Sequence, residues 1–263
     1  MEVGMGTLQG RCVFITGASS GIGEACARAF AREGARLVLV ARRAGRLSTL
    51  ARELGAQGAV DVHVGGLDVR DRAAVAAFVA SLEGPWREID VLINNAGLAR
   101  GLAPLHEGAI DDWEEMLDTN VKGLLYVTRE VLPGMVARGR GHVINIGSIA
   151  GHETYAGGSV YCASKHAVAA INRALAIDLL GTGVRTSSVD PGMVQTSFSS
   201  VRFRGDEARA AAVYRGLDPL TPDDVAEAVI FCATRPRHAN VRELILMPSA
   251  QASSVHVARR DTP

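Results

Sequence analysis

The chain has 263 residues, room for one α/β domain or two small ones, and its 48% apolar content suits a large core, which excludes a disordered or fibrous protein. Its 28 basic residues balance its 28 acidic ones, so no net field draws it to nucleic acid or to an anionic membrane. The expected partner is a small molecule. No run approaches ~18 continuous apolar residues and no basic segment precedes a long apolar one near the start, which predicts a soluble cytoplasmic protein. Cys12, Cys26, Cys162 and Cys232 show no metal-ligand spacing and read as reduced core thiols, in keeping with a reducing compartment.

Residues 12–16 (CVFIT) form a β-rich apolar run that leads into Gly17-Ala-Ser-Ser-Gly21-Ile-Gly23 and then a helical pattern ended by Gly34. Strand, glycine turn and helix stand in the order of a dinucleotide site. Glycines let the backbone approach a pyrophosphate, and a helix start offers unpaired N–H groups. Gly17, Ser19, Ser20, Gly21, Ile22 and Gly23 are therefore candidate cofactor contacts. The next strand, 36–41, ends at Arg42 and Arg43, where an NAD site has an acid for the ribose 2′-OH. Two arginines suit a 2′-phosphate instead, and cations crowded at a helix start imply a bound anion. The predicted cofactor is NADP(H).

A third strand at 60–64 precedes Asp68 and Val69, with Asp68 placed to accept a bond from an adenine amino group. A helix at 72–82 and a strand at 91–93 follow, then Asn94-Asn95-Ala96-Gly97. That turn places Asn95, Ala96 and Gly97 where open parallel sheets bind ligands. Residues 110–138 read as one long helix, broken or kinked at Pro133. Asp111, Asp112, Glu114 and Glu115 complement its dipole and are not read as a metal site. Asn120, a poor helix former, marks a bend or a polar role.

A strand at 142–146 leads to Ser148. Tyr161 and Lys165, four apart in a helical run, share one face. A phenol titrates near ~10, and a close cation lowers that by about 1–3 units, each worth roughly 1.4 kcal/mol. Ser148 can then hold a substrate oxygen while Tyr161 exchanges its proton, the chemistry of an oxidoreductase. His166, beside Lys165, points elsewhere and reads as structural. After a strand at 184–189, the turn 190–196 returns Pro191, Gly192, Val194 and Thr196 to the same crevice. Residues 197–220 read as a substrate lid in which Arg202 and Arg204 are candidate carboxylate binders. A capped helix at 221–233 and a strand at 243–247 complete the pattern. The tail 248–263 is expected to be frayed or packed on another subunit. Strand–helix alternation over 1–263 predicts one domain.

Thr16-Gly17-x-x-x-Gly21-x-Gly23, Asn94-Asn95-Ala96-Gly97, Asn120, Ser148, Tyr161-x-x-x-Lys165 and Pro191-Gly192 occur in family order, and residues 8–250 resemble the short-chain dehydrogenase/reductases. The resemblance implies a single-domain, Rossmann-like, doubly wound α/β fold with about seven parallel strands and helices on both faces, assembled as a dimer or, preferably, a homotetramer. It implies Tyr161 as acid/base, Ser148 as substrate orienter, Lys165 binding the nicotinamide ribose and lowering the Tyr161 pKa, and Asn120 holding a water in a proton relay. Within the family, DTNVKGLLYVTREVLPGMV, TYAGGSVYCASK, SVRFRGDE and LTPDDVAEAV resemble the NADP-dependent 3-hydroxy acid dehydrogenases, which act on serine, allo-threonine and 3-hydroxypropionate or malonic semialdehyde. Residues 149–153 (IAGHE) and the ending ARRDTP depart from that group. The competing readings are a reductase of a larger aldehyde or ketone in secondary metabolism and a protein that senses NADP(H) without turning it over.

Overall fold

Short runs of Val, Ile and Leu alternate with helices along the chain. In the computed structural model, which describes residues 8–56 and 61–260, the runs form one seven-stranded sheet, all parallel. The strands are β1 (Cys12–Thr16), β2 (Arg36–Ala41), β3 (Val62–Gly66), β4 (Ile89–Asn94), β5 (Gly141–Ile146), β6 (Val184–Pro191) and β7 (Glu243–Leu246), in spatial order β3-β2-β1-β4-β5-β6-β7. The helices are α1 (Gly21–Arg32), α2 (Ala44–Ala56), α3 (Arg72–Ala80), α4 (Ile110–Leu117), α5 (Leu124–Ala137), α6 (Ser159–Asp178), α7 (Phe198–Arg202), α8 (Glu207–Ala212) and α9 (Pro222–Ala233).

Side chains alternate across a strand, so an all-parallel sheet needs cover on both faces. Val13 and Ile15 of β1 pack with Phe30 of α1, Leu47 of α2 and Val229 of α9. Cys12 and Phe14 face the other way, with Val75 of α3 and Val131 of α5. The strand order reverses between β1 and β4, and the carboxyl ends of those strands flank a crevice. The doubly wound fold expected from the sequence is the one observed.

Some boundaries differ from expectation. β3 runs to Gly66 because its backbone passes under Phe78, whose ring would overlap a Cβ at Gly65; Val60, expected in this strand, lies outside the described residues. The 110–138 segment is two helices joined by a π-helical turn, Asp118–Gly123, centred near Asn120. α5 continues through Pro133 although proline removes a ladder hydrogen bond, because the face carrying Val127, Val131 and Met135 is buried against the sheet. Two of the acids read as dipole complement are ion-pair partners: Asp112 of Arg204, and Glu115 of Arg100 at 2.7 Å.

The tail is not frayed over its described residues. Residues 248–260 fold back on their own chain, with Ala252 N–H donating to His256 O at 2.9 Å and Ala258 N–H to Ala250 O at 2.8 Å. Arg260 N–H reaches Gly216 O at 2.8 Å, and Ser254 N–H reaches Glu153 at 2.7 Å. Too few apolar residues to fold alone are enough when Gly216 and Glu153 supply partners upstream. Residues 261–263 lie outside the described part.

His142 on β5 gives the fold an acid-sensitive point. Its Nε2 lies 2.8 Å from Ser187 Oγ while Nδ1 has no partner, and burial pushes its pKa down to about 3 from 6.5. The unfolded chain binds a proton there below pH ~6.5 that the folded chain refuses, so stability falls as pH drops from that point toward ~3. The Tm of His142→Val is expected to fall less steeply than wild type between about pH 6.5 and 4. Parallel Tm–pH curves would assign acid sensitivity elsewhere.

Candidate active site

The turn from β1 into α1 interlocks with the turn after β4. Gly17 has φ +65°, and a Cβ there would meet Ala96 Cα at 2.9 Å. Asn95 Nδ2 donates to Thr16 O at 2.9 Å and Gly17 O at 3.2 Å, while Asn95 and Ala96 N–H both reach Thr16 Oγ1 at 3.0 Å. A Cβ at Gly23 would overlap Asn95 Nδ2, so Gly23 serves packing behind the loop. Ser20 occupies the N-cap of α1 without a side-chain cap bond, which leaves the first N–H groups of α1 without a side-chain acceptor.

The cations after β2 adjoin this turn. Arg43 bonds Ser19 Oγ at 3.1 Å and Ser20 Oγ at 2.7 Å. The Arg42 side chain is 54% exposed, with only a long 3.8 Å approach to Glu115. Asp68 is engaged by Arg70 at 2.6 Å, and that hydrogen bond holds its carboxyl below the usual range. The Asp68 carboxylate expected to meet an adenine amino group is thus shared with Arg70, a residue the sequence reading passed over.

One cleft of about 450 Å³ runs from these residues to α6. Gly17, Ser19, Ser20, Gly21, Ile22, Arg42, Arg43, Asp68 and Val69 line one end, and Asn95, Ala96 and Gly97 its middle. Ser148, Tyr161, Lys165, Pro191, Gly192, Val194 and Thr196 line the other end. Gly23 and Asn120 stand behind the wall. Asn120 locks the π turn to the loop after β4: Oδ1 accepts from Leu98 N–H, and Nδ2 donates to Leu98 O, each at 2.8 Å, and to Ser164 Oγ at 3.0 Å. The spacing of 22 and 44 residues hides these partners from local sequence patterns.

Ser148 ends the β5 turn and caps a short 3-10 turn, Ile149–Gly151, through Ala150 N–H at 3.1 Å. Burial pushes the Tyr161 phenol up to about 12, Tyr155 adds to the rise, and Arg202 and a hydrogen bond with Ser148 oppose it. Lys165 is buried, donates to Ile146 O at 2.8 Å, and is pulled down to about 8 by burial against the opposing charge of Asp190. The lysine anchors at the carboxyl end of β5. Two neighbouring groups with shifted acidities in one cleft make this end the candidate reactive site. His166 Nδ1 lies 2.9 Å from Cys162 O on its own helix, matching its structural reading. All four cysteines are buried and unpaired.

The 197–220 segment brings residues that sequence spacing could not. Arg202 donates to Tyr155 Oη at 2.7 Å, and its guanidinium lies 5.1 Å from the Tyr161 ring centroid and 5.2 Å from that of Phe198. Its buried Nε has no partner. Arg204 is instead held by Asp112, so the two arginines have different partners. Burial raises the Tyr155 phenol, which keeps its proton.

Residues 11–206 match the family model for the short chain dehydrogenases. The chain is 50% identical over 241 residues to the NADP-dependent 3-hydroxy acid dehydrogenase of Salmonella typhi, covering 91% of this chain and 96% of that one. It is 46% identical over 250 residues to sulfoacetaldehyde reductase 2 of Chromohalobacter salexigens, covering 95% and 98%. Its fold matches the closed form of a serine dehydrogenase complexed with NADP+ at a TM-score of 0.90 and 46% identity, over 95% of this chain and 100% of that one. Likeness of this depth, along nearly the full length of both partners and over a cleft built by the motif residues, leads to one conclusion: the chain belongs to the short-chain dehydrogenase family.

Proposed function

We infer that the protein is an NADP(H)-dependent oxidoreductase that moves a hydride between the nicotinamide and the carbinol carbon, or carbonyl, of small 3-hydroxy acids. The observation that carries the substrate reading is the Arg202 guanidinium against the Tyr161 ring with an unpartnered Nε. The cleft suits a dinucleotide bearing a third phosphate: the α1 N-terminus meets the Ser19–Ser20 turn, and the half-exposed Arg42 lies beside Arg43 at the far end. When bound, the nicotinamide supplies or accepts the hydride.

The remaining steps belong to the chain. Tyr161 Oη gives its proton to the substrate oxygen in reduction and takes one in oxidation, and Ser148 Oγ orients that oxygen. Lys165 Nζ binds the nicotinamide ribose and favours the phenolate, and the Asn120 side chain, taken up by Leu98 and Ser164 behind the wall, fixes the helix bend beside them. Gly17, Ser20, Gly21, Ile22, Asn95, Ala96, Gly97, Val69, Pro191, Gly192, Val194 and Thr196 shape the cofactor wall. Arg202 Nε and the Tyr155 hydroxyl, whose oxygen already accepts from Arg202, present two donors to a carboxylate. Two relatives support an anionic substrate, since a 3-hydroxy acid carries a carboxylate and sulfoacetaldehyde a sulfonate. Residues 197–220 act as the lid over this end.

A homotetramer in the cytoplasm completes the reading. Exposed Leu125 on α5, and Ile177 and Leu180 at the end of α6, give a subunit contact apolar surface, and the unpaired thiols suit a reducing compartment. Among the described residues no helix is long and apolar enough to cross a membrane.

The substrate reading is tested by comparing 3-hydroxypropionate with 1-propanol in wild type and Arg202→Leu. A charged hydrogen bond is worth about 1.5–3 kcal/mol, so the variant is expected to raise KM for the acid by about 10- to 100-fold and to lower the poor turnover of propanol far less, through the lost charge beside Tyr161 alone. An equal loss on both substrates would remove the carboxylate role.

A further inference from the structure

Asp190 is a carboxylate at the end of β6, 1% exposed, that the proposed reaction does not use. Its Oδ1 accepts from Ser188 Oγ at 2.5 Å, and its Oδ2 lies 2.9 Å from His152 Nε2. A Cβ at Gly147 would overlap Oδ1, so the carboxylate lies directly against the backbone between Ile146 and Ser148. Those flanking residues are the acceptor of the Lys165 ammonium and the orienting hydroxyl. His152 is the C-cap of the short turn that Ser148 opens, so the His152–Asp190 contact clamps the far end of that turn onto β6, while Gly147 N–H to Val189 O at 2.9 Å holds the near end. A buried carboxylate left unpaired is costly, and here a hydroxyl on its own strand and an imidazole satisfy it.

We propose that Asp190 and His152 are positioning residues for the hydride-transfer reaction, Asp190 supplying the counter-charge of the buried Lys165 ammonium and His152 fixing both Asp190 and the Ser148 turn. The proposal rests on the role given above to Lys165. Near Lys165 the charged and titratable groups are Asp190 on β6, His152 after the 3-10 turn and Tyr161 on α6 itself. Further out, Arg173 and Glu243 pair at 2.7 Å, and Glu153 is held by Ser254 of the tail. None of these outer groups is buried as Asp190 is, so solvent screens them and Asp190 dominates the field at the ammonium. Burial lowers the Lys165 pKa to about 8 even with Asp190 opposing, so removing the carboxylate lowers it further and costs the ammonium form at a lower pH.

The experiment is the pH dependence of kcat and kcat/KM for 3-hydroxypropionate with NADP+ in Asp190→Asn, His152→Leu, His152→Gln and Lys165→Met. NADPH binding by fluorescence and Tm are followed on each protein. Asp190→Asn is expected to move the alkaline loss of activity down by about one pH unit and to lower kcat/KM about tenfold at pH ~8. His152→Leu should lower kcat, and His152→Gln, which keeps an N–H donor for Asp190, should restore most of it. A lower Tm with an unmoved pH profile in Asp190→Asn would make Asp190 merely structural and overturn the proposal, as would equal kcat in His152→Leu and His152→Gln. Lys165→Met separates the layers: if it destroys turnover while Asp190→Asn leaves the profile unmoved, the positioning proposal fails alone, and if it keeps turnover, the assignment of Lys165 falls with it.

Discussion

Tyr161→Phe is expected to lose about 10²- to 10⁴-fold in kcat while its affinity for NADPH stays within about threefold of wild type. The substitution removes one oxygen and keeps the ring that packs against Phe198 and under Arg202. Binding therefore survives and proton exchange does not. The buried phenol, pushed up to about 12, holds its proton firmly, which suits donation to a forming alkoxide in reduction. In oxidation the same group has to lose that proton, so alcohol oxidation should rise with pH until Lys165, at about 8, begins to lose its charge. Single-turnover rates with fluorescence titration of NADPH separate the two quantities. A Phe variant with most of its turnover would transfer the acid/base role away from Tyr161.

The second large effect concerns the phosphate end. Arg42→Ala is expected to weaken NADPH binding by about 10- to 100-fold and NADH binding by less than threefold, the loss of one charged contact to a phosphate. Arg42 is suited to this role because its side chain is half exposed and makes only the long contact with Glu115. Arg43 differs, since it also holds the hydroxyls of Ser19 and Ser20 in the phosphate turn. Arg43→Ala should therefore weaken both cofactors. Equal losses of NADPH and NADH in Arg42→Ala would remove the 2′-phosphate from this corner.

What the sequence made legible is what local pattern encodes. The β-rich run before Gly17, the glycine spacing, the Arg42–Arg43 pair and the Tyr161–Lys165 helical turn are all short-range signals: the run forms β1, and Gly17, Gly21, Arg42, Arg43, Tyr161 and Lys165 line the cleft. The strand–helix alternation was enough for a doubly wound sheet because parallel neighbours require crossovers. Long-range partners were not legible. Arg202 meets Tyr155 across 47 residues, and His152 meets Asp190 across 38, with no periodicity to announce either. The bend in the long helix shows how tertiary contacts decide between two local candidates. Pro133 was the stronger breaker by propensity, but the π turn forms at Asn120, where the side chain has Leu98 and Ser164 to bond. The tail misled because its composition is polar, while its folding depends on Gly216 and Glu153 far upstream.

The most direct test of the account is the initial rate at the absorbance band of reduced nicotinamide, with NADP+ and NAD+ run in parallel against 3-hydroxypropionate, L-serine and a bulky apolar secondary alcohol. The account predicts turnover of the small acids with NADP+, far slower rates with NAD+ and little activity on the bulky alcohol. Turnover confined to the bulky alcohol would contradict the substrate reading, and no reduction of NADP+ with any of the three would contradict the assignment as a working oxidoreductase.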